Sequence, residues 1–207
     1  GTGKTTIIKC ISSIFYNAGL RVSLAAPTGR ASKRMEEATG MPAKTIHRLL
    51  EYSPSTHSNL RHSNNPLDAD ILIVDEFSMV DIIIFNQLLD AIPVNARLIM
   101  VGDVDQLPSV GPGNVLKDII RSDKIPYIRL NQIHRQKRDS FIISNAHRIN
   151  KGKKLSLPPN NDKNKLWDFY KIEQEDKEEI LKLIITLCKE RIPQRFKFDS
   201  INDIQIL

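Results

Sequence analysis

The chain has 207 residues, of which 41% are hydrophobic and 26% are charged, and its formal net charge is +6 at pH 7. This length supports about one to two packed domains. No stretch reaches the roughly 18 consecutive apolar residues of a membrane span, so we expect a soluble globular protein with no membrane partner, while the mild basic excess favours a polyanionic one.

Helical and strand patterns alternate along the first 130 residues, which is typical of a parallel sheet flanked by helices. Predicted helices cover residues 4–17, 30–38, 44–52 and 80–92, and predicted strands cover residues 22–26, 71–74 and 98–101. The polar segment 53–66 is a predicted surface loop. The sequence therefore predicts an α/β fold with a mostly parallel sheet.

The pattern changes beyond residue 130. A helix over 141–149, a strand over 167–172 and a helix over 175–191 are predicted, and Glu178 is expected to pair with Lys182 on the last helix. The lysine-rich segment 151–165 is interpreted as a solvated loop, because no aromatic side chains lie between its charges to stack on bases. We expect residues 1–130 to form one domain, and 131–207 a hinge with the beginning of a second.

The first six residues match the second half of the phosphate-loop pattern G-x-x-x-x-G-K-[ST]; they are Gly1, Thr2, Gly3, Lys4, Thr5 and Thr6. Small residues let backbone N–H groups and a helix N-terminus surround a phosphate, while Lys4 reaches its outer oxygens and the Thr5 hydroxyl can hold Mg²⁺. This pattern predicts a nucleoside triphosphate site. A glycine-capped helix without a ligand is the alternative for this half-motif alone.

Two acids follow the apolar run 71–74 directly. Carboxylates at the carboxyl end of a central parallel strand lie in the crevice where open α/β sheets bind ligands. Asp75 can hold Mg²⁺ there, and Glu76 can orient or deprotonate a water. The alternative is a solvated turn after a strand.

The segment 102–113 follows the next predicted strand and is rich in glycine and proline, which indicates a rigid loop at the same edge of the sheet. Within it, Gln106 carries an uncharged amide that can sense a terminal phosphate or an attacking water. A loop chosen for turn geometry alone would leave the run Asp103-Val104-Asp105-Gln106 unexplained.

Cys10 and Cys188 form no C-x-x-C pair and are interpreted as buried thiols of a cytoplasmic protein. The chain starts inside the phosphate-loop pattern and ends on the strand-like run 203–207. We therefore expect it to be truncated at both ends.

Seven separate strings, in one order, resemble RecD-like helicases of superfamily 1, the exodeoxyribonuclease V alpha-subunit family. They are GTGKTT at 1–6, APTGRA at 26–31, KTIHRLL at 44–50, DEFSMVD at 75–81, the loop at 102–113, RQ at 135–136 and NAHRIN at 145–150. The resemblance covers nearly the whole chain. It implies a RecA-like P-loop motor that hydrolyses ATP with Mg²⁺ between two such domains and moves 5′ to 3′ on single-stranded DNA in repair or recombination.

The resemblance also implies roles for individual residues. Lys4 is the phosphate lysine, Thr5 and Asp75 hold Mg²⁺, Glu76 is the catalytic acid and Gln106 is the γ-phosphate sensor. Near the junction of the two motor domains, Arg135 touches the γ-phosphate; an exposed arginine without that role is the alternative.

The DNA contacts implied by the family are Pro27, Thr28, Gly29 and Arg30 in one loop, and Thr45 and His47 in a second. For His47, packing against its helix is the alternative. Phe77 and His134 depart from the family pattern in bulk but remove no chemical group. Other subunits of a recombination nuclease are candidate partners, and a nucleotide-switched module that does not translocate is the alternative function.

Overall fold

The computed structural model describes residues 3–130, 140–159 and 167–206. The chain divides into two compact units, Gly1–Gln136 and Lys137–Leu207. The predicted division into two motor domains stays a prediction. None of the helices in the described ranges is long and apolar enough to cross a membrane.

The first unit alternates helices and strands. Its helices are α1 (Lys4–Asn17), α2 (Gly29–Thr39), α3 (Ile46–Leu49), a 3-10 turn (Phe77–Met79), α4 (Ile82–Ala91) and α5 (Val115–Ser122). Its strands are β1 (Val22–Ala26), β2 (Ala43–Thr45), β3 (Tyr52–Ser53), β4 (Ser58–Asn59), β5 (Ile71–Val74) and β6 (Arg97–Met100).

Four of these strands form one parallel sheet in the order β2-β1-β5-β6. The register pairs Ala25 with Val74, and Val74 with Met100, so the carboxyl ends of neighbouring strands lie side by side. This confirms the predicted α/β fold with a parallel sheet.

Strand β5 is buried on both faces of the sheet. Ile71 and Ile73 belong to one hydrophobic cluster, with Ile8, Leu24 and Met35. Leu72 and Val74 belong to a second cluster, which α4 and α5 help to build. Because side chains alternate between the faces of a strand, the continuous apolar run supplies both clusters at once.

Arg21 ties together the amino ends of β1 and β5. Its backbone N–H donates to Asp70 Oδ2 at 2.8 Å and its guanidinium to Asp70 Oδ1 at 2.7 Å, with a further contact to Asp68. These hydrogen bonds, the guanidinium one above all, lower the pKa of Asp70 from 3.8 to about 2. This end of the sheet is opposite the predicted ligand edge.

The helix predicted over 44–52 is confirmed only over Ile46–Leu49, and its predicted bounds are wrong. Residues Ala43–Thr45 instead pair with Leu24–Ala26 as an edge strand. Thr45 then begins the short helix α3 by accepting a hydrogen bond from the Arg48 N–H at 3.2 Å, and Glu51, with φ of 53°, ends it. The apolar spacing of this segment suits a helix, but the unpaired edge of β1 takes its first residues into the sheet.

The segment 53–66 is largely exposed, as predicted, but it is more than a loop because β3 and β4 pair in it as a small antiparallel hairpin. Helix α5 was not predicted. Its buried residues, Val115 and Leu116, follow directly after the glycine- and proline-rich segment that masks its start. The remaining predicted elements of this unit differ from the observed ones by at most two residues at either end.

The second unit has α6 (Phe141–Asn150), α7 (Lys177–Thr186), a π-helical segment (Leu187–Arg191) and α8 (Ile192–Phe196). Asn145, 2% exposed, donates to the Ser156 carbonyl at 2.9 Å and accepts from the Ser156 N–H at 2.7 Å. This pair fastens the chain after α6 to the helix. The helix predicted over 141–149 is confirmed.

The predicted strand over 167–172 is wrong: its residues are irregular. The Trp167 ring packs edge-on against Phe141 at 5.3 Å, and Asp168 accepts from the Phe141 N–H at 2.9 Å and from the Ser140 hydroxyl. The Ser140 hydrogen bond is the main cause that holds the pKa of Asp168 below its ordinary value. Side-chain contacts with the start of α6 thus replace strand pairing.

Three smaller expectations for the chain are also wrong. Lys182 pairs with Glu179 at 2.7 Å and not with Glu178, because residues three apart also face each other on a helix. Cys10 is exposed, on the outer side of α1, and Cys188 is half-buried, so neither is a core thiol. Residues 203–206 form a turn and irregular chain, not a strand.

Candidate nucleotide site

The carboxyl edge of the parallel sheet collects most of the predicted site residues. Strand β1 ends before Pro27, β2 ends at Thr45, β5 ends before Asp75 and β6 ends two residues before Gly102. Because the four strands run in the same direction, these residues lie along one edge. Open α/β sheets bind ligands at such an edge.

Helix α1 begins at this edge. Gly3 precedes it in the left-handed conformation, with φ of 85°, which glycine adopts without steric cost. Lys4 is half-buried, while Thr5 and Thr6 are exposed at the start of the helix. Gly1 and Thr2 lie outside the described residues, so the predicted phosphate loop is described only from Gly3 onward.

The position of Lys4 is marked by Asp103. Lys4 Nζ lies 4.0 Å from Asp103 Oδ2, and the two side chains are 22% and 42% exposed. Asp103 follows β6, so this ion pair brings the predicted phosphate lysine to the loop after β6. The sequence pattern included Asp103 in its Asp-x-Asp-Gln run but assigned it no role.

The two acids after β5 differ in their surroundings. The Asp75 N–H donates to the Ala25 carbonyl at 3.0 Å, and Asp75 Oδ1 accepts from the Glu76 N–H at 2.8 Å. Glu76 has φ of 50° and ψ of 40°, a left-handed conformation that is uncommon for a residue with a side chain. Glu76 Oε2 is buried, and no hydrogen-bond partner for it exists among the described residues.

A buried carboxylate oxygen without a partner is costly, because it gives up water and gains nothing. A water or a ligand can supply the missing donor. The strained backbone favours a functional site here, since left-handed residues with side chains cluster at functional sites. Asp75 Oδ1 has a backbone donor, whereas Glu76 Oε2 has none among the described residues.

The loop after β6 presents Gln106 on a tight turn. The Gln106 N–H donates to the Asp103 carbonyl at 3.2 Å, and the Asp105 N–H donates to Asp103 Oδ1 at 3.1 Å. The Gln106 side chain is exposed. Asp103 thus stabilises the turn that carries Gln106 through Oδ1 and forms an ion pair with the Lys4 ammonium through Oδ2.

The first residue of this loop, Gly102, is closely packed against neighbouring atoms. A β-carbon added to Gly102 would lie 2.6 Å from Leu116 Cδ2 and 3.1 Å from the Ser78 nitrogen. Phe77, fully buried, donates its N–H to the Val101 carbonyl at 2.9 Å and packs edge-on against Phe85. The bulk of Phe77 therefore goes into the core and leaves the predicted site open.

The residues predicted to contact DNA stand on two helix starts. Thr28 accepts a hydrogen bond from the Ala31 N–H at 3.2 Å and so begins α2, where Gly29 and Arg30 are exposed. His47 is exposed and meets Tyr52 edge-on with ring centroids 5.7 Å apart. This contact leaves both predicted roles of His47, DNA contact and packing, open.

Residues 131–139 lie outside the described residues, so the structure gives no position for Arg135 or His134. Together the described residues place Lys4, Asp75, Glu76 and the Gln106 loop at one sheet edge.

Residues 1–112, more than half of the chain, match the family model described as AAA domain. The chain belongs to the AAA domain family. Its matched segment contains the phosphate-loop residues, both acids and Gln106, and its parallel sheet is the fold observed.

This AAA domain chain is similar to RecD proteins, which confirms the resemblance found in the motifs. It is 43% identical over 148 residues to the ATP-dependent RecD2 DNA helicase of Deinococcus radiodurans, covering 71% of the chain and 20% of that protein. It is 40% identical over 144 residues to the RecBCD enzyme subunit RecD of Mycolicibacterium smegmatis, covering 58% of the chain and 26% of that protein.

Among solved structures, the chain resembles Bacteroides Pif1 bound to ssDNA, with 24% identity and a TM-score of 0.48 over 74% of the chain and 41% of that protein. The chain spans only a fifth to about a quarter of the two RecD relatives.

The donors of this AAA domain fit Mg²⁺ only together with a nucleotide. No group of three or more histidine, cysteine or acidic side chains among the described residues could hold a metal alone. Mg²⁺ is usually held by one or two carboxylates, several waters and phosphate oxygens. Asp75 and the exposed Thr5 hydroxyl are the two side chains predicted to contribute to such a shell, and this stays a prediction.

Proposed function

We propose that this chain is the ATP-hydrolysing part of a DNA helicase that moves 5′ to 3′ along single-stranded DNA in repair or recombination. The name of the RecD2 relative, an ATP-dependent DNA helicase, supports helicase activity, and the name of the RecD relative, a subunit of the RecBCD enzyme, supports partner subunits. Because the chain spans only part of them, the activity, the polarity and any partner subunits of the whole protein are proposals.

One observation carries the proposal. Glu76 has a buried carboxylate oxygen with no hydrogen-bond partner among the described residues, at the sheet edge where Lys4 and Asp103 also lie. A general base needs a free oxygen aimed at the proton that it accepts. Among the acids at this edge, Asp75 Oδ1 accepts a hydrogen bond from a backbone N–H, and Asp103 Oδ1 accepts one within a turn. Glu76 therefore suits the role of general base.

In this proposal the phosphates of ATP lie against the N-terminus of α1, where Lys4 holds their outer oxygens. Thr5 and Asp75 hold Mg²⁺, which when bound neutralises charge on the phosphates. Glu76 accepts the proton of the attacking water, and Gln106 orients that water. A permanently charged guanidinium suits Arg135 for contact with the γ-phosphate.

DNA is proposed to cross the same edge near Arg30 and its loop, Pro27–Gly29, with Thr45 and His47 as a second contact. Such backbone contacts carry no sequence readout. We further propose that residues 1–130 are one RecA-like motor domain, that 131–207 begin a second, and that the protein is cytoplasmic, where ATP and DNA are available.

The test separates binding from chemistry in the intact protein. Glu76→Gln keeps the size of the side chain and removes its basicity, so the nucleotide–Mg²⁺ complex should bind within several-fold while hydrolysis falls by at least about 10². Asp75→Asn should instead weaken the Mg²⁺-dependent part of binding, since Mg²⁺ prefers a charged oxygen ligand. Nucleotide titrations and steady-state ATPase rates measure both.

The matched control is Glu37→Gln, an exposed acid on α2, which should change neither quantity. Near-normal turnover of Glu76→Gln would show that Glu76 is not the general base and would overturn its catalytic assignment. Stimulation of the wild-type ATPase by single-stranded DNA is expected for a motor. An ATPase indifferent to DNA would favour the alternative, a nucleotide-switched module that does not translocate.

A further inference from the structure

The loop 102–113 is attached at both ends to the segment that follows Glu76. At its start, the Phe77 N–H donates to the carbonyl of Val101 at 2.9 Å. At its end, the Ile82 N–H donates to the carbonyl of Pro112 at 3.0 Å. The loop that carries Gln106 is therefore anchored on residues 77–82 and not only on the sheet.

The second anchor includes a tight contact between Gly111 and Asp81. A β-carbon added to Gly111 would lie 2.7 Å from Asp81 Cγ and 2.9 Å from Asp81 Cβ, and would also overlap Asp81 Oδ2. Gly111 is not in the left-handed region, so glycine is needed here for space and not for conformation. The Asp81 carboxyl group thus forms the surface on which this end of the loop rests.

Asp81 is itself held in place. Its Oδ1 accepts from the Ile84 N–H at 2.8 Å, so it begins helix α4. That helix is fixed by Leu88 and Ala91, both fully buried in the core. A side chain locked in this way acts as a rigid support rather than a flexible surface acid.

A shift at Gly111 would spread along the loop. The Ser109 hydroxyl donates to the carbonyls of Gly111 and Gly113, at 3.1 and 3.2 Å. Ser109 lies three residues after Gln106, so the loop end resting on Asp81 is tied by hydrogen bonds to the part that leads back to Gln106.

We propose that Asp81 is a positioning residue for ATP hydrolysis: through its contact with Gly111 it sets the place of Gln106 relative to Glu76. This inference rests on the proposed function. Asp81 is not one of the residues proposed to hold nucleotide or Mg²⁺, and the proposed nucleotide contacts of Lys4 and Thr5 come from another element, α1. Changes at this contact should therefore lower kcat and leave nucleotide affinity nearly unchanged.

The test is a reciprocal rescue in the intact protein. Gly111→Ala adds a methyl group where the Asp81 carboxyl lies, and Asp81→Gly removes all three atoms that the methyl would meet. Glycine is tolerated at a helix N-cap at a cost of only a few tenths of a kcal/mol. Each single variant should lower kcat about tenfold or more, and the double variant should return to within about threefold of wild type.

Asp81→Asn is the conservative variant, because asparagine has the same shape and caps helices equally well. It should keep wild-type kcat. Binding of a non-hydrolysable ATP analogue, expected within about threefold of wild type in every variant, shows that each protein is folded. If Gly111→Ala does not fold, the comparison of Asp81→Gly with Asp81→Asn still decides.

Three results would each overturn the inference. In the first, the losses in kcat multiply in the double variant; in the second, the single variants keep wild-type kcat. In the third, Asp81→Asn is as slow as Asp81→Gly. A wild-type protein without ATPase activity would instead overturn the proposed function. If the wild type hydrolyses ATP, Glu76→Gln does not, and the 81 and 111 variants turn over normally, only the positioning role fails.

Discussion

Gly102 is the point at which the loop after β6 leaves the core, and replacing it with alanine tests how closely the backbone passes there. The added methyl would lie 2.6 Å from Leu116 Cδ2, 3.1 Å from the Ser78 nitrogen and 3.3 Å from the Phe77 nitrogen. The Leu116 side chain can turn away, but the two nitrogens belong to the backbone of the 3-10 turn.

The magnitude follows from which of these neighbours can move. Leu116 is 8% exposed and lies in the core, so its displacement disturbs other buried side chains. Overpacking by one methyl in such a place typically costs about 1–3 kcal/mol. We expect Gly102→Ala to lower the free energy of unfolding by about that amount.

Urea unfolding followed by circular dichroism measures the change. The matched control is Gly29→Ala at the start of α2, where an added β-carbon meets nothing within 4 Å. There alanine should be neutral or stabilising by up to about 1 kcal/mol, because it restricts the unfolded chain. The same gain from the unfolded chain applies at position 102, so the overpacking cost is the difference between the two variants. A Gly102→Ala protein within about 0.5 kcal/mol of Gly29→Ala would refute the close approach.

Three further changes test other contacts. Asp103→Asn removes the counter-ion of Lys4, so the ammonium no longer has to leave an ion pair to bind phosphate. Since exposed ion pairs contribute about 0.2–1 kcal/mol, a nucleotide analogue should bind up to about fivefold more tightly. Weaker binding on titration would contradict this. Wild-type protein should lose stability as the pH falls from 3.8 toward about 2, because unfolded Asp70 takes up its proton before the folded form does. Asp70→Asn lacks this contribution, so an equal pH dependence of urea unfolding in both proteins would count against the Arg21 contact. For single-stranded DNA, about three neutralised phosphates give a slope of log K against log salt near −2, and Arg30→Ala should reduce it by about 0.7; binding that ignores salt would exclude backbone contacts.

The fold was predictable where one segment carries its own signal. The apolar run 71–74 needs burial on both faces whatever lies beside it, and Gly3 with the apolar face after it marks the start of α1. Strand β2 has no such signal, because its three residues are extended only through pairing with Leu24–Ala26. Short edge strands depend on their partner, which a local pattern cannot show.

In the candidate site, too, local strings could be recognised in the sequence, whereas contacts between distant residues could not. The sequence predicts the chemical groups of the site, because Lys4, Asp75, Glu76 and Gln106 stand in strings typical of phosphate sites, and the roles of these groups stay predictions. The contacts that support them were not predictable. Asp103 meets Lys4 across about a hundred residues of chain, and Gly111 meets Asp81 across 30, so only the folded chain brings these partners together.

The left-handed backbone of Glu76 has a consequence for how this protein can be changed. Such a conformation destabilises a residue with a side chain by roughly 1–2 kcal/mol, whereas glycine adopts it without this strain. Replacing Glu76 with glycine would also delete the buried oxygen that lacks a partner. A library screened only for thermal resistance should therefore enrich glycine at position 76, and its most robust members would be those that have lost the acid.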